Sequence, residues 1–179
     1  RRVQTRLQMY FDRVDRERPP AGIAFDINTW DFELEQSADL GGRHQLVWGI
    51  GFRLHAYHTE NNVLAFDPDH RRLRFTNIFV QDSITLNEEF KLTAGVKFEE
   101  NLYSGWSLLP DLRLSWAPND STLMWLAGSQ AIRAPTPFDT DVQEFVGGVL
   151  FLAGDPDFEP EEVTAFELGV RAMPNATVS

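Results

Sequence analysis

His55 and His58, in RLHAYHTE, are the first residues whose type points to chemistry, a transition-metal site. On a strand, a separation of three puts them on opposite faces, so they cannot share one ion without leaving β geometry. Asp67, Asp69 and His70, in FDPDHRR, offer donors for a hard cation. A solvated acidic turn around Pro68 accounts for the same residues. Glu159, Glu161 and Glu162 carry the same two readings, cation ligands or charges that keep a loop soluble. No metal site is assigned. Arg133, in QAIRAPTPFD, could line an aqueous passage and contact a ligand there. Equally, Pro135 and Pro137 end a strand and Arg133 pairs with a neighbouring carboxylate. No Ser-His-Asp spacing, phosphate-binding loop or placed carboxylate pair is present, so no catalytic residue and no cofactor is assigned. Chemistry is not the expected output.

The elements that must position these residues are strands. QLVWGIGFRLHAY sets Leu46, Trp48, Ile50, Phe52 and Leu54 against Val47, Gly49, Gly51, Arg53 and His55. Such alternation means that the two faces of a strand meet different media. Eight strands are predicted, over about 2–13, 28–38, 45–57, 72–86, 90–100, 108–117, 121–131 and 163–172. The seventh, STLMWLAGSQA, is apolar on both parities. Helical periodicity is nowhere sustained, and the class is all-β.

Short turns at DLGGR, NEE, PND and MPNA alternate with longer links at about 14–27, 57–71, 101–107 and 132–162. A sandwich has no reason to keep that rhythm, because Greek-key crossings scatter long connections to both ends. Outer-membrane barrels keep short turns at one rim and long loops at the other. Arg53, Lys97, Glu99, Arg113, Glu167 and Arg171 then face a polar lumen, and Trp30, Trp48, Trp116 and Trp125 could form interfacial girdles.

Composition agrees. Sixteen Lys and Arg against twenty-seven Asp and Glu give a net charge of −11, which argues against nucleic acid. The chain has no cysteine, so disulfides and thiolate sites are excluded. No stretch reaches the roughly 18 apolar residues of a membrane-spanning helix, a fact that leaves barrel strands open.

At GVKFEENLYSGWSLLPDLRLSWAPNDSTLMWLAGSQAIRAPTPFD, residues 95–139, the chain resembles the barrel of TonB-dependent outer-membrane receptors. The matching positions are Gly95, Lys97 and Glu99, then Pro110, Arg113, Leu114, Trp116 and Pro118, then Trp125, Ser129, Arg133 and Pro135. GDPDFEPEEVTAFELGVR, FVQDSITL and LVWGIGFR extend the likeness over most of the chain from about 28 onward. Asp155 stands where Asn is commoner in the family, and Thr136 where Ser is commoner.

The resemblance implies an antiparallel up-and-down arc of a transmembrane β-barrel, with residues 1–179 forming part of a larger barrel domain. Plug domain and barrel-closing strands lie elsewhere, since about 22 strands close such a barrel. It further implies a Gram-negative outer membrane, lipid around the barrel and a TonB complex acting through the absent plug. The ligand belongs to the class of siderophore-bound iron, haem, cobalamin or saccharide. Arg133, Arg53, Lys97, Arg113 and Arg171 are the candidate ligand-contacting residues on lumen or loop. The competing expectation is a soluble β-sandwich binding module with the aromatic faces as core. An isolated arc would expose two strand edges and an apolar face, so it is expected to self-associate.

Overall fold

The computed structural model describes residues 2–18, 23–60 and 64–173. In chain order the elements are β1 (Val3–Arg18), β2 (Ile23–Asp39), β3 (His44–Glu60), β4 (Leu64–Phe66), β5 (His70–Thr85), β6 (Phe90–Asn101), β7 (Gly105–Asn119), β8 (Thr122–Arg133), α1 (Pro137–Thr140), β9 (Val142–Val146), β10 (Val149–Ala153) and β11 (Glu161–Ala172). Eight of them form one sheet in the order β1-β2-β3-β5-β6-β7-β8-β11, every neighbour antiparallel. These are the eight strands that alternation predicts. The sheet is open, with β1 and β11 at its edges.

Register keeps the apolar parity together across the sheet. Leu7, Leu34, Ile50, Ile78, Phe98 and Leu108 lie in one cross-strand row over six strands. Leu114, Leu126 and Leu168 continue the same face on β7, β8 and β11. A slip of one residue anywhere would turn a strand's apolar set to the other side.

At one rim the links are tight. Gly41 and Gly42 hold φ of 101° and 73°, a conformation that closes the β2–β3 turn and that side chains resist. The Asn87 and Asn119 side chains accept backbone N–H groups in the next two turns. From Pro174 on, the MPNA turn lies outside the described residues.

The other rim differs from expectation in two places. β1 and β2 stay paired as far as Arg18 and Ile23, so most of the link expected at 14–27 is ladder. The link expected at 101–107 is three residues long, and Asn101 caps it by accepting the N–H groups of Tyr103 and Ser104. Above the apolar belt neither face needs to be greasy, so the alternation that marks a strand fades while its hydrogen bonds continue. The two long links, 61–69 and 134–160, carry α1 and a second sheet in the order β10-β9-β4.

Burial is inverted relative to a soluble domain. Among the described residues the buried hydrophobics are Leu73, Ala127 and Val142, while Thr29, Asp31, Asn101, Thr140 and Asp141 are buried polar ones. Many large apolar residues stand open, with Phe166 at 83 % and Leu168 at 85 % exposure. A sandwich would cover that face with a second layer, and the second sheet here covers a different face. The sandwich expectation is therefore overturned. Trp30, Trp48 and Trp116 lie on the apolar face, joined by Trp106, which falls in the link expected at 101–107 and stands instead on β7. Trp125 does not join them: it pairs with Ser115 on the polar face, opposite Gly169. β8 is apolar on both parities, so periodicity could not assign it.

Candidate functional site

The mid-sheet cleft and the loop-roofed cavity both open on the polar face. In mid-sheet, Asp31, Glu33, Arg53, Asn77, Lys97 and Glu99 from β2, β3, β5 and β6 line a cleft of about 330 Å³. The Arg53 Nε donates to Asp31 Oδ2 at 2.6 Å, and Lys97 pairs with Glu99. Asp31 retains 3 % of its side-chain exposure, and its Oδ1 is buried without a partner among the described residues. Small residues make this wall possible: a Cβ on Gly51 would sit 2.6 Å from Asn77 Nδ2.

Toward the loop rim the same face turns apolar. Val14, Phe25, Ile27, Tyr57 and Leu73 line a cavity of about 610 Å³, with Leu64, Phe66 and Pro137 contributed by the loops. Thr29 and His55 mark the border, with Oγ1 and Nδ1 2.8 Å apart. The loop roof is anchored by Asp141, buried at 7 % exposure between α1 and β9. Its Oδ2 accepts from Tyr103 Oη at 2.9 Å and Tyr57 Oη at 3.4 Å, with Arg71 Nη1 at 3.4 Å. Burial pushes the Tyr103 phenol above its ordinary pKa, and donation to Asp141 adds to that. Sequence reading missed Asp141 because its partners lie 38 and 84 residues away.

The second anchor is Arg133. It donates to Glu161 Oε1 at 2.7 Å and Asp139 Oδ2 at 3.2 Å, and its guanidinium lies over Phe158. Asp139 also accepts the Thr136 N–H and hydroxyl, which cap α1. Those Thr136 bonds, then Arg133, hold the Asp139 carboxyl below its ordinary pKa, and Arg133 does the same to Glu161. A serine or a threonine at 136 serves equally. At Asp155 the side chain accepts the Asp157 N–H, a role that asparagine shares.

The five basic candidates thus occupy three places. Arg53 and Lys97 share the mid-sheet cleft. Arg133 ties the roof to the wall. Arg113 shares a row with Glu167 across Ala127, and Arg171 reaches only the Met173 sulfur at 4.0 Å among the described residues. His55 and His58 fall on opposite faces, as β geometry requires.

A strand sheet that is apolar outside, polar inside and roofed by loops at one rim is barrel architecture. The family model "TonB dependent receptor-like, beta-barrel" matches residues 4–179. The chain belongs to this family. TonB-dependent receptors are transporters and receptors of the Gram-negative outer membrane that work with TonB. Two solved receptor structures share the fold. The siderophore receptor PirA from Pseudomonas aeruginosa superposes with a TM-score of 0.77 at 16 % identity, over 96 % of this chain and 32 % of that one. PirA from Acinetobacter baumannii gives 0.67 at 16 % identity, over 85 % and 26 %. The chain thus spans about a third of a receptor's length or less. No curated protein matches it.

Proposed function

We propose that this arc forms wall and entrance roof of a TonB-dependent receptor in a Gram-negative outer membrane, and that the receptor imports siderophore-bound iron. The observation that carries the proposal is the inversion of the sheet: lipid-ready residues outside, a charged cleft and a loop-roofed apolar cavity inside. The ligand class follows the two siderophore receptors that share the fold. The cavity under the roof suits the organic part of such a ligand, because aromatic and aliphatic walls bury it while few polar groups orient it. Of the five basic candidates, Arg113 and Arg171 are those without a carboxylate partner among the described residues, with donors to spare for an anionic cargo. Arg53, Lys97 and Arg133 are held by carboxylates and act through position.

Strands beyond this arc close the barrel, and a plug carried elsewhere in the chain fills it. Asp31 Oδ1, buried and unpartnered among the described residues, is an acceptor that a plug N–H would satisfy. TonB acts through that plug. We assign the arc no reaction of its own.

The test is uptake of iron-55 delivered on a panel of siderophores, in cells with and without the receptor and with and without TonB. Uptake of at least one complex that needs both proteins is expected. Failure of every complex, or uptake that survives loss of TonB, contradicts the proposal.

A further inference from the structure

We propose that His58, Asp69 and His70 form a binding site for a divalent transition ion of the zinc, copper or nickel class, on the outward surface at the loop rim. Among the described residues they are the one group of three His, Asp or Glu side chains that converges, each offering a ligand atom within 4.8 Å of the others. His44 and Asp82, 2.6 Å apart, remain a pair.

The backbone prepares the site. Thr59 N–H donates to Asp69 C=O at 2.8 Å, and the Thr59 hydroxyl reaches the same oxygen at 3.1 Å. That makes Thr59 and Asp69 a hydrogen-bonded pair, so His58 and His70, next along the ladder, are the closer non-bonded kind with side chains on one face. Their ring centroids are 6.4 Å apart. Tetrahedral zinc with bonds of about 2.0–2.1 Å needs ligand atoms roughly 3.4 Å apart. Closing that gap takes side-chain rotation only, and exposure of 50 % at His58, 59 % at Asp69 and 76 % at His70 leaves room for it.

Ligand chemistry selects the ion. Two imidazoles and one carboxylate suit zinc, copper and nickel, while calcium and magnesium require mainly oxygen. Asp69 Oδ1 lies 2.6 Å from His70 Nδ1, so the carboxylate either binds directly or orients the ring. Glu60 Oε1, 3.4 Å from His58 Nε2, is available as a further ligand. The apolar parity of β3 has ended at Leu54, and Arg72 and Arg74 follow on the same face of β5, so the site stands clear of the apolar belt. An ion here clamps β3 to β5 at the base of the link that carries β4, one strand of the cavity roof.

The test uses the full chain purified in detergent, loaded with Cu2+ for electron paramagnetic resonance and titrated with Zn2+ by calorimetry. Nitrogen couplings from two imidazoles are expected. His58→Ala and His70→Ala each weaken Zn2+ binding at least ~10-fold, and His44→Ala leaves it unchanged. Both substituted side chains are exposed, and heat-modifiable mobility on gels verifies that each variant is folded. Wild-type protein that binds no Zn2+, or a folded double variant that binds it like wild type, overturns the site.

Discussion

Asp31 has lost nearly all its water on a face that is otherwise wet, and Arg53 is what makes that tolerable. Arg53→Ala leaves the carboxylate buried and unpaired. The expected cost is roughly 1–3 kcal/mol, below the figure for fully buried pairs because Arg53 is 43 % exposed. A lower melting temperature in detergent measures it, and Asp31→Asn in the same chain should recover part of the loss. At Arg133 the consequence is a pH response. Asp139 and Glu161 titrate below their ordinary values when folded, so their contribution is complete above the ordinary carboxylate range, near 4. It is lost as pH falls through the depressed values. Protection of the 134–141 segment from hydrogen exchange, taken relative to the intrinsic chemical rate at each pH, should therefore fall on acidification. Arg133→Ala should remove the Glu161 part of that response and leave the part that Thr136 gives to Asp139, whereas an unchanged response would separate it from the Arg133 ion pairs. The residue scale was the least legible from sequence. Arg133 stood out because two prolines follow it, but its partners Asp139 and Glu161 are chosen by the loop's path. His58 meets His70 through register across a hairpin, and spacing along the chain hides that.

At the scale of elements, alternation is imposed by a solvent boundary, so it reports strands only where the boundary exists. The eight long strands cross it and were legible. β4, β9 and β10, of three to five residues, lie in loops where period two has no medium to reflect, and α1 is a single turn behind a proline. The paired outer halves of β1 and β2 were lost for the same reason. Neighbouring positions in one strand provide the sharpest check. Val80 faces outward beside Trp48 and Val96, and Gln81 faces inward beside Val47 and Gly95. Val80→Arg is expected to cost up to about 2–4 kcal/mol in folding, falling toward the interface, while Gln81→Arg is tolerated. Urea unfolding in lipid vesicles compares them; equal costs would mean that the two faces meet the same medium. Close approach sets a second limit. A Cβ on Gly49 would lie 2.6 Å from Phe79 Cε1 and 2.8 Å from the Leu34 carbonyl, so Gly49→Val should reduce the heat-modifiable folded band several-fold.

At the scale of the whole molecule, the described residues form an arc with two edge strands, β1 and β11, and an apolar face that no second layer covers. Taken alone, residues 1–179 should form oligomers in light scattering even in mild detergent, as edge strands pair with other copies. A monodisperse monomer in water would contradict that. Sequence carried the architecture this far because the rhythm of turns, the lumen-facing charges and the motif at residues 95–139 agree with one another. Ligand identity was not legible, because the cavity wall is assembled from β1, β2, β3, β5 and loops whose convergence no short motif records. The central claim, that one rim faces the outside world and the apolar face meets lipid, can be tested directly since this chain has no cysteine. In the full chain, freed of any other cysteine, Asp157→Cys marks the loop roof and Asp120→Cys the opposite turn. Intact cells are then treated with a membrane-impermeant thiol reagent. Labelling at 157 but not at 120, with both labelled once the outer membrane is opened, is the predicted result. Labelling of both positions in intact cells, or of neither, would contradict the barrel and its orientation together.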